Sequence, residues 1–204
     1  TLFPYTTLFR SNTDHIIARM VENAKSVIPG KTLGPVISAE SKKRIESYIK
    51  EAEEKGAKIL VDGRNPSVEG KEGGYWLGPT IIDNVTPDMR IAQEEVFGPV
   101  LVIIRSKGLK DALEVENASP YGNAASVFTE SGATARYVME HASAGMVGVN
   151  VGVPVPREPF SFGGWNESHF GVGDITGRGS IEFWTKSKKM TTKWNREHGV
   201  NWMS

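Results

Sequence analysis

The 204-residue sequence contains no cysteine. A disulfide framework, a zinc site with thiolate ligands and a cysteine nucleophile within the chain are therefore excluded. The chain also lacks an excess of either charge, because 24 lysine and arginine residues balance 24 aspartate and glutamate residues to a formal net charge of +0. Proteins that bind nucleic acid usually carry a clear cationic excess, so we expect no nucleic-acid partner.

Long apolar runs are absent as well. No stretch of about 18 uncharged apolar residues occurs, so the sequence predicts no membrane-spanning helix. The histidines show no ligand spacing and predict no metal site; they are His15, His141, His169 and His198. Since no secretory pattern opens the sequence, we expect a cytoplasmic protein.

Residues 1–11 differ in character from the rest of the chain. The triplet TLF occurs at 1–3 and again at 7–9, and the segment fits neither a helical nor an alternating period. It resembles one reading frame of a common sequencing-adapter oligonucleotide. We therefore expect translated adapter sequence here, exclude it from the predicted fold, and expect the chain to be a piece of a longer protein.

Hydrophobic periodicity predicts alternating helices and strands over most of the remaining chain. Apolar residues at three- and four-residue steps predict helices at 12–28, 38–56, 109–117 and 133–142. Short apolar runs predict strands at 59–61, 80–82, 100–104, 125–128 and 146–151. The alternation after Pro99 predicts the α/β class with a mainly parallel sheet.

The last forty residues lack this alternation. Glycine and proline residues interrupt the stretch from 152 to 179, which predicts irregular structure held in place by packing. Residues 180–194 are β-prone and in places have a period of two, which predicts one long strand or a bent pair of strands.

Five short motifs identify a family by their order and spacing. In this sequence they are 33–38 (LGPVIS), 78–81 (GPTI), 94–100 (EEVFGPV), 120–129 (PYGNAASVFT) and 160–165 (FSFGGW). Together they resemble the C-terminal part of the aldehyde dehydrogenase superfamily. Residues 148–156 (GVNVGVPVP) and 181–185 (IEFWT) are similar to the CoA-acylating methylmalonate-semialdehyde dehydrogenases within it.

The resemblance implies how the chain is divided. Residues 12–170 would form the C-terminal part of the catalytic α/β domain, in which helices flank a parallel sheet. Residues 171–204 would form a C-terminal β oligomerisation arm, with a strand that joins other subunits of a homo-oligomer. The NAD domain of the family would be missing from this chain.

The resemblance also implies the chemistry: oxidation of a small semialdehyde, with NAD as cofactor and coenzyme A as co-substrate. In the family a cysteine attacks the aldehyde, a hydride passes to NAD, and the acyl group leaves to CoA or, assisted by a glutamate, to water. The nucleophilic cysteine and the general base would lie upstream of this chain. We therefore expect this chain to be inactive alone.

Three residues match site positions of the family. Glu95 matches the glutamate that accepts hydrogen bonds from the nicotinamide ribose hydroxyls, and Phe97 matches the aromatic residue beside the nicotinamide ring. Phe162 matches a position that lines the aldehyde pocket. The structural alternative for Glu95 is a charged residue before a turn. For Phe97 it is a core phenylalanine, and for Phe162 it is plain packing. Asn150 resembles an asparagine near the site, with a structural role.

Two other functions stay open at this point. One is a non-acylating aldehyde dehydrogenase that releases a carboxylic acid. The other is a non-catalytic chain that only assembles with other subunits. The sequence departs from the family at Trp165 and Asn166, where many relatives have a lysine, and this departure bears on which aldehyde is bound.

Overall fold

A computed structural model of the chain describes residues 6–9, 13–174 and 176–194. In chain order its elements are β1 (Thr6–Phe9), α1 (Asp14–Lys25), α2 (Ala39–Glu54), β2 (Lys58–Val61), β3 (Thr80–Asp83), α3 (Arg90–Gln93), β4 (Val100–Ser106), α4 (Leu109–Asn117), β5 (Tyr121–Gly122), β6 (Ala124–Val127), α5 (Gly132–His141), β7 (Met146–Val149), β8 (Trp165–Asn166) and α6 (Gly177–Trp184). Two compact units contain these elements. The first comprises the described residues up to Val155 together with Gly163–Phe170, and the second comprises Pro156–Phe162 and the described residues from Gly171 onward.

A four-stranded sheet in the order β1-β4-β3-β2 is the centre of the first unit. β4 runs parallel to both β1 and β3, whereas β2 is antiparallel to β3. Helix α1 packs on one face of the sheet against Ile81 and Ile103, and α2 packs on the other face against Ile82, Val102 and Ile104. Because both faces are covered, β4 is a nearly continuous apolar run, as the sequence predicts.

Helix α2 is defined by its two ends. Ser38 has an extended backbone and its side chain accepts a hydrogen bond from the amide of Ser41, which is an N-cap. At the other end, Gly56 has a φ of 94°, and the amide of Ala57 bonds back to the carbonyl of Ala52. This is a Schellman motif, and it stops α2 where the sequence predicts its end.

The predicted alternation after Pro99 is present, but not as a single sheet. β6, α5 and β7 form a parallel crossover unit, with β6 and β7 as a separate two-stranded sheet. β4 does not pair with β6, because β1 occupies one edge of β4 and β3 occupies the other. The parallel pairing that the sequence predicts is therefore divided between two sheets, the four-stranded sheet and the β6–β7 pair.

The N-terminal segment contributes to the fold, contrary to the sequence prediction. Residues Thr6–Phe9 form β1, and their register places Thr6 opposite Ile103 of β4. Excluding them from the fold is therefore wrong: even a four-residue segment without a clear hydrophobic period can extend a sheet through backbone hydrogen bonds alone. That residues 1–11 are translated adapter sequence stays a prediction.

The second unit contains a helix where the sequence predicts a strand. α6 covers Gly177–Trp184, and Arg178 pairs with Glu182 at 3.2 Å across one helical turn. This spacing of four residues favours a helix. The strand was predicted instead because Ile181 and Phe183 are two residues apart, as on one face of a strand. Pairing of the arm with another subunit stays a prediction, and the last ten positions of the predicted arm segment, 195–204, lie outside the described residues. The division at residue 170 also stays a prediction.

Candidate functional site

The segment that links α3 to β4 carries two of the three predicted site residues. Along this segment the side chains alternate: Val96 is 7% exposed and belongs to the core, whereas Glu95 and Phe97 point outward. Phe97 is 67% exposed. Within the described residues Phe97 is therefore not part of the core, and Glu95 and Phe97 both lie at the surface.

Phe97 adopts an unusual backbone conformation. Its φ is 54°, in the left-handed region, which costs a residue with a side chain on the order of 1–2 kcal/mol. The next residue must be small, because a Cβ on Gly98 would lie 2.6 Å from the Cδ1 atom of Ile45. The chain therefore turns sharply against α2 before β4 begins, and such local strain is common at functional sites.

Helix α2 holds this turn through the side chain of Arg44. The guanidinium donates a hydrogen bond of 2.9 Å to the carbonyl oxygen of Val96 and a longer one, 3.4 Å, to the carbonyl oxygen of Glu95. Hydrogen bonds from a charged donor are stronger than those between neutral groups. The peptide groups on both sides of Val96 are thereby tied to α2.

Glu94 is fixed by a small polar network. Arg90 donates hydrogen bonds of 2.9 and 3.1 Å to its two carboxylate oxygens, and the Tyr48 hydroxyl donates a further one. The Arg90 guanidinium also lies over the Tyr48 ring, 4.3 Å from its centre. The hydrogen bonds from Arg90 and Tyr48 lower the pKa of Glu94, while burial and the bond to Glu94 raise the pKa of Tyr48.

Phe162, the third predicted site residue, belongs to the second compact unit. Its side chain is 40% exposed. Thr176 holds the adjacent backbone, because its hydroxyl accepts a 2.7 Å hydrogen bond from the Phe162 amide and its carbonyl accepts one from the Ser161 hydroxyl. The ring is therefore partly available to a ligand, on a backbone that is locally fixed.

The glycines that follow Phe162 in the sequence have a packing role in the first unit. A Cβ on Gly145 would lie 2.5 Å from the carbonyl oxygen of Gly163, and a Cβ on Gly164 would lie 3.2 Å from the Cα atom of Asn123. Three chain segments thus approach each other with no room for side chains. Packing therefore explains the glycines at 145 and 164.

Asn150 has the structural role that the sequence analysis gave it. Its side chain accepts a 2.9 Å hydrogen bond from the Thr129 amide and donates a 3.0 Å bond to the Thr129 carbonyl. Both polar ends of the amide are occupied, so Asn150 joins the chain just after the C-terminal ends of β6 and β7.

Sequence reasoning missed the residues that support the Glu95 segment. The sequence analysis assigned no role to Arg44 or to Tyr48, which both lie on the helix predicted at 38–56. A signal was present: residues four apart on a helix lie on the same face, so Arg44 and Tyr48 had to point the same way. The segment that this face of α2 contacts, however, lies about 50 residues later in the sequence, and periodicity within the helix does not identify it.

Neither metal ligands nor a membrane span appears in the parts of the chain that the structure describes. No three acidic or histidine side chains come together there in a way that could hold a metal ion. None of the helices at 14–25, 39–54, 90–93, 109–117, 132–141 and 177–184 has the length and apolar character needed to cross a bilayer.

Comparison with known proteins identifies the family. Residues 6–190 match the aldehyde dehydrogenase family. The chain belongs to this family. The resemblance carried by the five motifs and the predicted fold class are thereby confirmed, and the match also includes the residues of β1.

Two of the relatives have names that include methylmalonate-semialdehyde dehydrogenase. A protein of Drosophila pseudoobscura named "probable methylmalonate-semialdehyde/malonate-semialdehyde dehydrogenase [acylating], mitochondrial" is 45% identical over 96% of this chain and 39% of its own length. The crystal structure of methylmalonate-semialdehyde dehydrogenase from Oceanimonas doudoroffii superimposes with a TM-score of 0.90 at 37% identity, over 95% of this chain and 41% of that one.

A more distant structure is a complex with the oxidised cofactor. Betaine aldehyde dehydrogenase from Staphylococcus aureus, in complex with NAD+, superimposes with a TM-score of 0.82 at 31% identity, over 98% of this chain and 40% of that one. The chain therefore spans about two fifths of the length of each of these relatives.

Proposed function

We propose that this chain supplies the nicotinamide-facing part of an NAD-dependent, CoA-acylating semialdehyde dehydrogenase. The observation that carries the proposal is the segment in which Glu95 and Phe97 are exposed while the backbone between them is bound to Arg44. The names of the Drosophila and Oceanimonas relatives support a malonate or methylmalonate semialdehyde as the substrate.

The exposed groups fit a nicotinamide riboside. An ionised carboxylate only accepts hydrogen bonds, so Glu95 suits the two hydroxyls of a ribose. The outward-facing ring of Phe97 offers an apolar surface beside which a planar ring can lie. When bound, NAD would accept the hydride that leaves the aldehyde carbon; the residues of this chain bind and orient it.

Phe162, in the second unit, matches the family position that lines the aldehyde pocket. As a partly exposed aromatic side chain it would form an apolar wall that limits water around the aldehyde carbon. The chain has no cysteine to attack that carbon, so a thiol must come from outside these 204 residues. We therefore expect the chain alone to catalyse no aldehyde oxidation.

Release of the acyl group to CoA is supported by the word "acylating" in the name of the Drosophila relative. No residue of this chain is assigned to CoA. Assembly as a homo-oligomer and a cytoplasmic location stay predictions from the sequence. So does the arm strand, which would pair with a neighbouring subunit by edge-to-edge addition.

The experiment uses a chimera in which this chain replaces the matching segment of the Oceanimonas enzyme. Purified chimera is incubated with malonate or methylmalonate semialdehyde and NAD, with and without CoA, and the products are separated by liquid chromatography. We expect NADH and an acyl-CoA in equal amounts when CoA is present, and this chain alone serves as the inactive control.

Two results would overturn parts of this proposal. CoA-independent turnover to a free acid would favour the non-acylating alternative. A chimera that folds and assembles but never reduces NAD would favour the chain that only assembles.

A further inference from the structure

We propose that Arg44 is a positioning residue that orients Glu95 and Phe97 for the cofactor, while Tyr48 and Arg90 hold Glu94 at the start of the same segment. This inference rests on the proposed function, because it assigns a purpose to the geometry of the same segment. Arg44 touches neither substrate nor cofactor in this account; it acts through the backbone.

The geometry begins with two consecutive carbonyl groups. Along a regular extended strand, successive carbonyl groups point to opposite sides. Here the carbonyl oxygens of Glu95 and Val96 both accept hydrogen bonds from the one guanidinium of Arg44. The chain must bend to bring them together, and the left-handed Phe97 follows immediately.

The carbonyl of Val96 belongs to the peptide plane that precedes Phe97. The φ angle of Phe97 is a rotation relative to that plane, so a hydrogen bond that holds the plane holds the base from which the left-handed Phe97 projects its ring outward. Val96 lies between the two bound carbonyl groups, and the Glu95 carbonyl belongs to the peptide plane that directly follows the Glu95 Cα atom, so the same contact restricts the backbone from which the Glu95 side chain projects.

The segment is also held at both of its ends. At its start, Glu94 is bound by Arg90 and by the hydroxyl of Tyr48. At its end, Gly98 lies directly against Ile45. Arg44, Ile45 and Tyr48 all belong to α2, so one helix face holds the segment along its length.

A polar anchor is needed because the segment is not part of the sheet. The structure assigns residues 94–99 to neither a helix nor a strand. Backbone carbonyl groups outside regular structure need other partners, and the planar guanidinium can donate to two acceptors at once. Lysine has a single ammonium group at that position and would be a poorer substitute.

The first arm of the test uses this chain itself and does not involve NAD. Amide hydrogen exchange is measured by mass spectrometry in the peptide that covers 94–100, for the unchanged chain and for R44M, R44K and R19M. Arg19 is the matched control, because it is exposed on α1 and its ion pair with Glu22 is only at 4.0 Å.

We expect R44M to speed exchange in this peptide by about tenfold or more, R44K to have an intermediate effect and R19M to have none. Exchange in β3 should stay unchanged in all variants, which shows that each one is folded. Exchange at 94–100 that is identical in R44M and the unchanged chain would overturn the inference.

The second arm measures kinetics in the Oceanimonas chimera. We expect R44M to raise the KM for NAD about tenfold, with partial recovery in R44K and no change in the KM for the semialdehyde. If E95Q raises the KM for NAD and R44M does not, the inference about Arg44 fails and the proposed function stands. If E95Q has no effect on that KM, the proposed function fails, and with it the purpose assigned to Arg44, whatever the exchange data show.

Discussion

Arg105 on β4 donates two parallel hydrogen bonds, of 3.0 and 2.8 Å, to the carboxylate of Asp83 on the neighbouring strand β3. Asp83 is only 5% exposed. The same guanidinium also reaches Asp14 at the start of α1, at 3.0 Å. One side chain therefore links two strands of the central sheet to the helix that covers them.

The first prediction concerns the two carboxylates that share Arg105. We expect D83N to lower the free energy of unfolding of the chain by about 2 kcal/mol, because it removes the charge that a bidentate, largely buried pair requires. D14N is the matched control: Asp14 is exposed, so its loss should cost less than about 1 kcal/mol. Urea unfolding measures both, and equal losses would contradict this account.

The second prediction follows from the pKa of Asp83. Burial alone would raise this pKa, but the hydrogen bonds from Arg105 and from the Asn84 amide outweigh burial and hold it below its ordinary value. A lowered folded-state pKa gives stability that is present above the unfolded-state value, near 3.9, and is lost as the pH falls through the folded-state value.

We therefore expect the stability advantage of the unchanged chain over D83N to be constant from pH 7 to about pH 5 and to shrink below about pH 4. Parallel urea titrations across this range measure it. An advantage that grows as the pH falls would show that the sign is wrong.

Much of the first unit could be predicted from the sequence, because its signals are local. The N-cap at Ser38, the glycine that stops α2 and the apolar run of β4 each depend on a few neighbouring residues. Pairing between strands depends on what else competes for an edge. For this reason the parallel character of β4 was predicted correctly, whereas the division of the strands into separate sheets was not predicted.

The third prediction tests a close approach between two chain segments. A Cβ on Gly63 would lie 2.0 Å from the carbonyl oxygen of Gly78, so the backbone must shift to accept it. We expect G63A to lower the free energy of unfolding by about 2 kcal/mol. G73A, where nothing lies within 4 Å of the added atom, should change it by less than about 0.5 kcal/mol. Thermal and urea unfolding provide the comparison, and a neutral G63A would contradict the observed packing.

The fourth prediction separates stability from function at Phe97. Glycine adopts a positive φ without strain and the Phe97 ring is mostly exposed, so F97G should leave the stability of the chain unchanged or raise it by up to about 1 kcal/mol. In the chimera the same change should weaken NAD binding, because the ring is lost. F97L, which keeps the strained backbone and an apolar side chain, should bind NAD with intermediate affinity.

Calorimetry on the chain and NAD titration of the chimera give the two quantities. A destabilised F97G that binds NAD normally would show that Phe97 is a packing residue.

The candidate site was less predictable from sequence than the fold. Glu95 and Phe97 came from the resemblance to a family, since a glutamate before a turn has no chemical signature of its own. The left-handed conformation of Phe97 and the role of Arg44 arise from contact between segments about 50 residues apart. The period of apolar residues along the sequence does not predict such a contact. The helix at Gly177–Trp184 was missed because, over eight residues, a period of two and a helical period are hard to tell apart.

The central claim is that Glu95 binds the ribose next to the nicotinamide ring. The most direct measurement is the dissociation constant of NAD for the Oceanimonas chimera, determined by fluorescence titration for the unchanged form, for E95Q and for E69Q. Glu69 lies in an exposed loop and is the matched control. Hydrogen bonds to a charged acceptor contribute about 1.5–3 kcal/mol, so we expect E95Q to weaken NAD binding by about ten- to a hundredfold while E69Q leaves it unchanged. Equal affinity in all three forms would contradict the claim.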